Sequence, residues 1–464
     1  MTDVAARCIR EQPRFRGIFK NNGKFDGEIA LVLPAVHGDE SEFIEKSLKT
    51  GFSGENISEL EKEAARYIGV SNAAALKSGV DAAKMAVKLA AEKIYGSARA
   101  DFAIGGQGKG RALSGRRVFC SDFMPPEVVG TVIDEGGEPV FIDVSAEDWC
   151  MDPEVLEIAF QTYQDVKLVI MNHAYGFPGQ IKEVKRICRE HGALLIEDAS
   201  EGIGAKIDGC QAGSFGDYGI LDFGKDRIIT GSSGGMLLCN DRCSYQKVKS
   251  QAACSGVAGF CDQDGEVGNG CMMSDVVAGV IRSQFQHLEE HIAKKKAVYG
   301  RYLEKFDGDI ISMNPVGEGT EPNYWVSCMT CESNIQFQET RSGRDYTYTD
   351  QHGTASPMEI FDALAAFGAQ SSPVYKPLSL YQAFRNYDQI SLDGSRRLWG
   401  FDDDSFWVRS DVSKDCFDRG LCLPSDIGMT EEVQNRVIDI VFACFSRMDL
   451  DRQNALVFLE MSDL

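Results

Sequence analysis

A chain of 464 residues, 43% hydrophobic and 25% charged, can hold two or three domains with a large core and has the balance of an ordinary globular enzyme. Its formal net charge of −22 argues against nucleic acid or an anionic membrane as a partner, since both repel it. No apolar run is long enough to span a bilayer and the opening MTDVAARCIREQPRF has no apolar signal core, so the expected location is the cytoplasm. The fifteen cysteines are scattered and read as small buried hydrophobes. One CxxC, Cys328 to Cys331, has no second pair at zinc spacing and reads as structural.

In chain order, residues 1–28 are polar and aperiodic and read as an N-terminal extension. Ser41 to Leu48 and Ser58 to Ile68 read as helices, the second with Ser58 as N-cap and Glu61 closing a capping box. The segment AAALKSG reads as a strand or turn that opens a helix with Ala82, Met85, Ala86 and Leu89 on one face. Ser78 and Gly79 at that helix start offer N–H groups and a dipole to an anion such as phosphate, though a simple cap has the same sequence. Residues 96–117 contain GGQGKG without the GK[ST] ending or a preceding strand, and read as a surface loop. Strands VFCS and PVFID flank a helix from Pro126 to Asp134, and a further helix covers 153–161.

The centre of the chain is Val166 to Asn240. The apolar run VKLVIM leads to Asn172 and His173, a helix follows over Ile181 to His191, and ALLIEDAS places Asp198 at the end of a second strand. After GSFGDY come the run GILDF, the loop GKDRIITGSSGG and the run MLLCND. Repeated β-α-β alternation predicts an α/β fold with a mostly parallel sheet and a ligand at its carboxyl edge. Asp275 to Lys305 reads as one long helix, and shorter strands and helices follow, among them NYWVSCMT, Met358 to Phe367 and a closing helix capped by Thr430. Segments 332–356 and 389–411 read as loop or hairpin insertions. The expected organisation is a large α/β domain at 29–274, a linking helix at 275–306 and a smaller α+β C-terminal domain at 307–464.

Seven stretches occur in a fixed order: SELEKEAARYIGV, LKSGVDAAKMA, EPVFIDVSAEDWCMDPEVLEIAF, NHAYGFPGQIKEVKRICREHGALLIEDASEGIGA, GSFGDYGILDF, TGSSGGMLLCND and LEEHIAKKKAVYGRY. Through them residues 29–460 resemble the DegT/DnrJ/EryC1/StrS family of pyridoxal-phosphate-dependent nucleotide-sugar aminotransferases. The resemblance implies the aspartate aminotransferase-like, fold-type I scaffold. It implies pyridoxal 5'-phosphate as cofactor, a nucleotide-linked keto-sugar as substrate, an amino donor such as glutamate, and a dimer with sites between subunits. It is nearest to the branch that makes amino sugars for surface polysaccharides. By this resemblance Asp198 pairs with the pyridine nitrogen, because a protonated ring is the electron sink of the chemistry. Glu201 lies near the ring hydroxyl, Ser78 and Gly79 hold the phosphate, and His173 is the histidine of the family's HxYG segment.

The departures are as informative. The family's Schiff-base lysine stands seven residues before a Gly-Gly pair; counted back from Gly234 and Gly235, that position is Arg227. A guanidinium stays protonated and is neither a Schiff-base nucleophile nor a proton shuttle. The phosphate-side serine of the same motif is Asp222, the threonine after Ser-Gly is Val80, and the aromatic stacked on the cofactor is Pro125. The family's Asn-Tyr-Arg segment reads Gly270-Cys271-Met272, and its small-domain histidine falls at Ser379. Family members that dehydrate their substrates carry histidine, not arginine, at the lysine position. Lys225, two residues before Arg227, is the substitute nucleophile to consider. Three readings follow: an aminotransferase working through Lys225, a catalytically degenerate scaffold or regulator pairing with itself or an active paralogue, and a binding protein that keeps a sugar or nucleotide site. Kept packing beside a changed pocket favours lost catalysis.

Overall fold

The computed structural model of the chain describes residues 3–19, 23–96, 111–253, 270–306, 308–332, 339–342, 345–348, 355–394, 396–397 and 411–445. Its largest sheet has nine strands in the spatial order Asn72–Leu76, Gly235–Cys239, Tyr218–Asp222, Leu194–Asp198, Leu168–Asn172, Arg117–Ser121, Glu138–Ile142, Gln389–Ile390 and Arg396–Arg397. The pairings from Tyr218–Asp222 to Gln389–Ile390 are parallel, and Gly235–Cys239 runs antiparallel to both neighbours.

Both faces of this sheet are buried, so the central strands are mainly apolar, with their polar residues gathered towards the strand ends. Successive residues still point to opposite sides. Leu168, Ile170 and Ile196 enter the core shared with Ala82, Met85 and Ala86 of helix Gly79–Tyr95 and with Val128, Val129 and Val132 of Pro126–Asp134. Val169, Met171 and Leu195 enter the opposite core, with Val155 and Leu156 of Pro153–Thr162, Ile181 and Val184 of Ile181–Glu190, and Leu60 and Ala64 of Glu55–Ile68.

Beyond Lys305 a four-stranded antiparallel sheet, in the order Ile311–Met313, Cys328–Cys331, Gly420–Cys422, Ser372–Pro373, packs with helices Pro357–Phe367 and Glu431–Cys444. Thr430 caps the closing helix by accepting from Val433 N. Cys328 and Cys331 are buried strand residues, and every cysteine among the described residues is a free thiol. Among the described residues no helix is long and apolar enough to cross a membrane.

Three expectations change. The described part of the predicted extension 1–28 is not aperiodic: helix Asp3–Arg10 is followed by Phe15, Phe19 and Phe25, all buried, with Phe15 and Phe19 at 5.5 and 5.2 Å from the Phe367 ring. Ser58 is not an N-cap, because the helix begins at Glu55 after Gly54, whose φ of 81° glycine adopts without strain. Glu61 therefore closes no capping box and accepts instead from Ala75 N and Lys249. The predicted single helix is two, Asp275–Gln286 and Leu288–Lys305, broken at His287 where ψ is 3° and its N–H reaches the Gln284 carbonyl three residues back. Within the predicted loop or hairpin insertion 389–411, Gln389–Ile390 and Arg396–Arg397 do pair as a hairpin, and Gln389–Ile390 also extends the large sheet beside Glu138–Ile142; residues 395 and 398–410 lie outside the described residues. Residues 97–110 of the predicted Gly/Arg-rich loop lie outside the described residues, while Glu339–Ser342 and Asp345–Tyr348 do form a hairpin.

Candidate active site

The carboxyl ends of the central strands bring the predicted residues together. Asp198 ends Leu194–Asp198, Asp222 ends Tyr218–Asp222, and helix Gly79–Tyr95 begins against Asp222. Ser78 caps that helix, but its hydroxyl is occupied: it accepts from Asp81 N at 3.1 Å and donates to Asp81 Oδ2 at 2.7 Å. The Gly79 N–H, which faces the expected anion site, donates to Asp222 Oδ1 at 3.2 Å. A β-carbon on Gly79 would lie 2.5 Å from the Asp222 β-carbon, so this close approach requires glycine.

Arg227 lies at the middle of the site, with 17% of its side chain exposed. Its Nε donates to Asp222 Oδ2 at 2.8 Å and its NH1 to Glu201 Oε1 at 3.2 Å. The guanidinium lies 5.0 Å from the centre of the Trp325 ring, and the indole N–H of Trp325 donates to the Asp226 carbonyl at 2.7 Å. Tyr375 donates its hydroxyl to the same Glu201 oxygen, while Glu201 Oε2 accepts from Tyr175 N at 2.7 Å. The Tyr175 and Tyr375 rings stack with centres 4.8 Å apart. Burial alone would lower the Arg227 pKa, but the charges of Glu201, Tyr375 and Asp222 raise it above its ordinary value. Desolvation raises Glu201, against the pull of Arg227. Two carboxylates thus share one cation that cannot release its proton.

The other predicted residues divide. Asp198 is buried, accepts from Ser200 N at 3.0 Å, and is raised by desolvation against the opposing effect of that serine and of Arg227. His173 is wholly buried and turned to another task. Its Nδ1 accepts from Gly179 N at 3.4 Å, so its Nε2 carries the proton and donates to Glu197 Oε1 at 3.0 Å. Glu197 also collects the N–H groups of Gly213, Phe215 and Gly216, fixing the turn before Tyr218–Asp222. Lys225 is exposed and takes no part in the Arg227 network. Sequence reasoning missed Glu197, Tyr175 and Tyr375, and read Trp325 only as packing; an acid beside Asp198 and the aromatics of AYG, NYW and VYK were the available signals. A cavity of about 280 Å³ opens beside the network, lined by Leu31, Val32, Tyr175, Asp226, Trp325 and Tyr375.

Residues 35–442 match the DegT/DnrJ/EryC1/StrS aminotransferase family. The chain belongs to this family. It is similar to EpsN of Bacillus subtilis (strain 168), classed as a pyridoxal phosphate-dependent aminotransferase, with 28% identity over 443 residues, 93% of this chain and 99% of that protein. It is 24% identical to a GDP-perosamine synthase of Vibrio cholerae over 77% of this chain and 89% of that one. Among solved structures, the aminotransferase TlmJ of Streptoalloteichus hindustanus superposes with a TM-score of 0.70 at 19% identity, over 93% of this chain and all of that one. The fold is that of the fold-type I pyridoxal-phosphate aminotransferases.

Pyridoxal phosphate is the cofactor of these family aminotransferases. The DegT-family positions of this chain fit it poorly. The Gly79 N–H and the Ser78 hydroxyl are taken by Asp222 and Asp81, and a phosphate at this helix start would meet the Asp222 carboxylate. Arg227, which the resemblance aligns with the lysine, is paired on both sides. Asp198, the acid that the resemblance pairs with the pyridine nitrogen, does lie at a strand end beside Arg227.

Proposed function

We propose that this family member has lost transamination through a lysine Schiff base and serves as a non-catalytic, dimerising subunit, with itself or with an active paralogue. One observation supports the reading: Arg227, aligned by the resemblance with the lysine, is tied to Asp222 and Glu201, while Asp222 occupies the Gly79 N–H. No nucleophile and no anion cradle are then left for the cofactor's aldehyde and phosphate. The family makes amino sugars on nucleotide carriers, as the names GDP-perosamine synthase and dTDP-3-amino-3,4,6-trideoxy-alpha-D-glucose transaminase among its relatives say. We carry over from it the surface-polysaccharide setting and, for the cavity beside Trp325, a nucleotide-linked sugar as ligand class.

The test is an absorbance spectrum of the purified protein with added pyridoxal phosphate, before and after borohydride. The expected result is no aldimine band and no cofactor retained on desalting. A band fixed by reduction and mapped to Lys225 would overturn the reading and restore a working aminotransferase with a keto-sugar substrate and an amino donor such as glutamate. Sedimentation of the full chain as a monomer, with no association with a family paralogue, would remove the subunit role.

A further inference from the structure

Three of the six histidines, His37, His287 and His291, meet at the break between helices Asp275–Gln286 and Leu288–Lys305. Their protonation can be followed bond by bond. A backbone carbonyl only accepts, so His291 Nδ1, 2.9 Å from the Ile228 oxygen, carries its proton. With Nδ1 holding the proton, the neutral ring presents its Nε2 as a lone pair. That lone pair faces His37 Nε2 at 2.7 Å, so His37 donates there through Nε2 and its Nδ1 points away from His291. His287 donates Nε2–H to the Asp39 carboxylate at 3.2 Å, and its Nδ1 lies 3.8 Å from Glu290 Oε2. The His37 and His287 rings stack at 3.6 Å and 9°, an arrangement that two imidazolium charges would oppose.

We infer that His37, His287 and Glu290 form a site for a divalent transition-metal ion of the zinc type. One ring nitrogen of each histidine and one carboxylate oxygen lie within 4.8 Å of one another. Two imidazoles and a carboxylate with one open position for water are a sufficient zinc set, and imidazole ligands select zinc, nickel or copper over magnesium. Each histidine is also held from behind, His37 by His291 and His287 by Asp39, as ligating histidines are. Two adjustments bring the ligands in. The near-parallel rings must tilt so that their lone pairs converge; nitrogens of one tetrahedral ion sit about 3.3 Å apart, close to the present ring separation. Glu290 must leave Lys294, an exposed pair at 2.7 Å of little strength. A bound ion would pin the segment 35–39 to the helix junction, and through His291 and Ile228 it reaches the backbone next to Arg227.

The site stands whether or not the protein transaminates, and its test reads metal alone. Full-length protein stripped with chelator is titrated with zinc chloride at neutral pH by calorimetry, and with cobalt(II) by visible spectroscopy. One ion per chain is expected, with cobalt bands of nitrogen and oxygen ligation. Affinity should fall at least tenfold in His37→Ala and in His287→Ala, and less in Glu290→Gln, with circular dichroism unchanged. Wild-type binding that survives both histidine substitutions, a cobalt–thiolate band from the exposed cysteines, or no binding at all would each overturn the assignment.

Discussion

One carboxylate of Asp222 joins two partners that would otherwise stand apart: Oδ1 accepts from Gly79 N at 3.2 Å and Oδ2 from Arg227 Nε at 2.8 Å. The negative charge suits a helix N-terminus and the guanidinium equally. Asp222 and Arg227, which the resemblance aligns with a serine and a lysine, thus compensate each other's charge.

Gly79 should tolerate no side chain while Asp222 is present, because the added β-carbon would lie 2.5 Å from that of Asp222. Gly79→Ala is expected to cost about 1–3 kcal/mol in urea unfolding. In an Asp222→Ala background the same change should cost clearly less, since the two residues are in contact. Equal costs in both backgrounds would contradict the geometry.

Arg227→Met leaves the Glu201 carboxylate, with 4% of its side chain exposed, and Asp222 without their cation. A loss of about 3–5 kcal/mol is expected, the range for removing one partner of a buried pair. Adding Glu201→Gln to Arg227→Met should recover part of it, measured by denaturant midpoint at constant slope.

Restoring the lysine alone should not restore the cofactor. Arg227→Lys is expected to show no aldimine absorbance with pyridoxal phosphate, because Asp222 still holds the Gly79 N–H. Arg227→Lys combined with Asp222→Ser should gain it. A band in the single variant would mean that Asp222 does not guard the helix start.

Stability should respond to pH through two buried sites. Asp122 and Asp143 are pushed up to about 7 by desolvation and by the charge of Asp411. Between about 4 and about 7 the folded chain keeps protons that the unfolded chain has released, so this contribution falls as pH rises and levels off above 7. Lys295, whose Nζ donates to the Trp325 and Ser425 carbonyls, is pushed down to about 7 by burial. Between about 7 and about 10 the unfolded chain binds a proton that the folded chain does not, so this contribution rises with pH. Together they give a minimum near neutrality. In a thermal-melt series Asp122→Asn should flatten the acidic limb and Lys295→Met the alkaline one.

What the sequence carried depended on range. Helices Pro126–Asp134 and Ile181–Glu190 were readable because their apolar spacing is local. Phe15 and Phe19 were not, since the surface that buries them is the Phe367 ring, some 350 residues further on, and no short-range period records it. Ser58 was misplaced because a serine one turn inside a helix looks like a cap when Gly54 in front of it is ignored. At the site, motif order located Asp198, Asp222 and Arg227. It could not tell that Tyr375 would close on Glu201 across 174 residues, or that His173 would turn to Glu197.

The two residues Gln389 and Ile390 lie parallel to Phe141 and Ile142, and the bonds from Phe141 N to Asp388 O and from Asp143 N to Ile390 O occupy the border of the large sheet. A chain cut after Lys305 would leave that border as a row of unmatched amides, a template for adhesion to another molecule. Residues 388–390 are therefore a selvedge: the large sheet cannot shed them without baring that border.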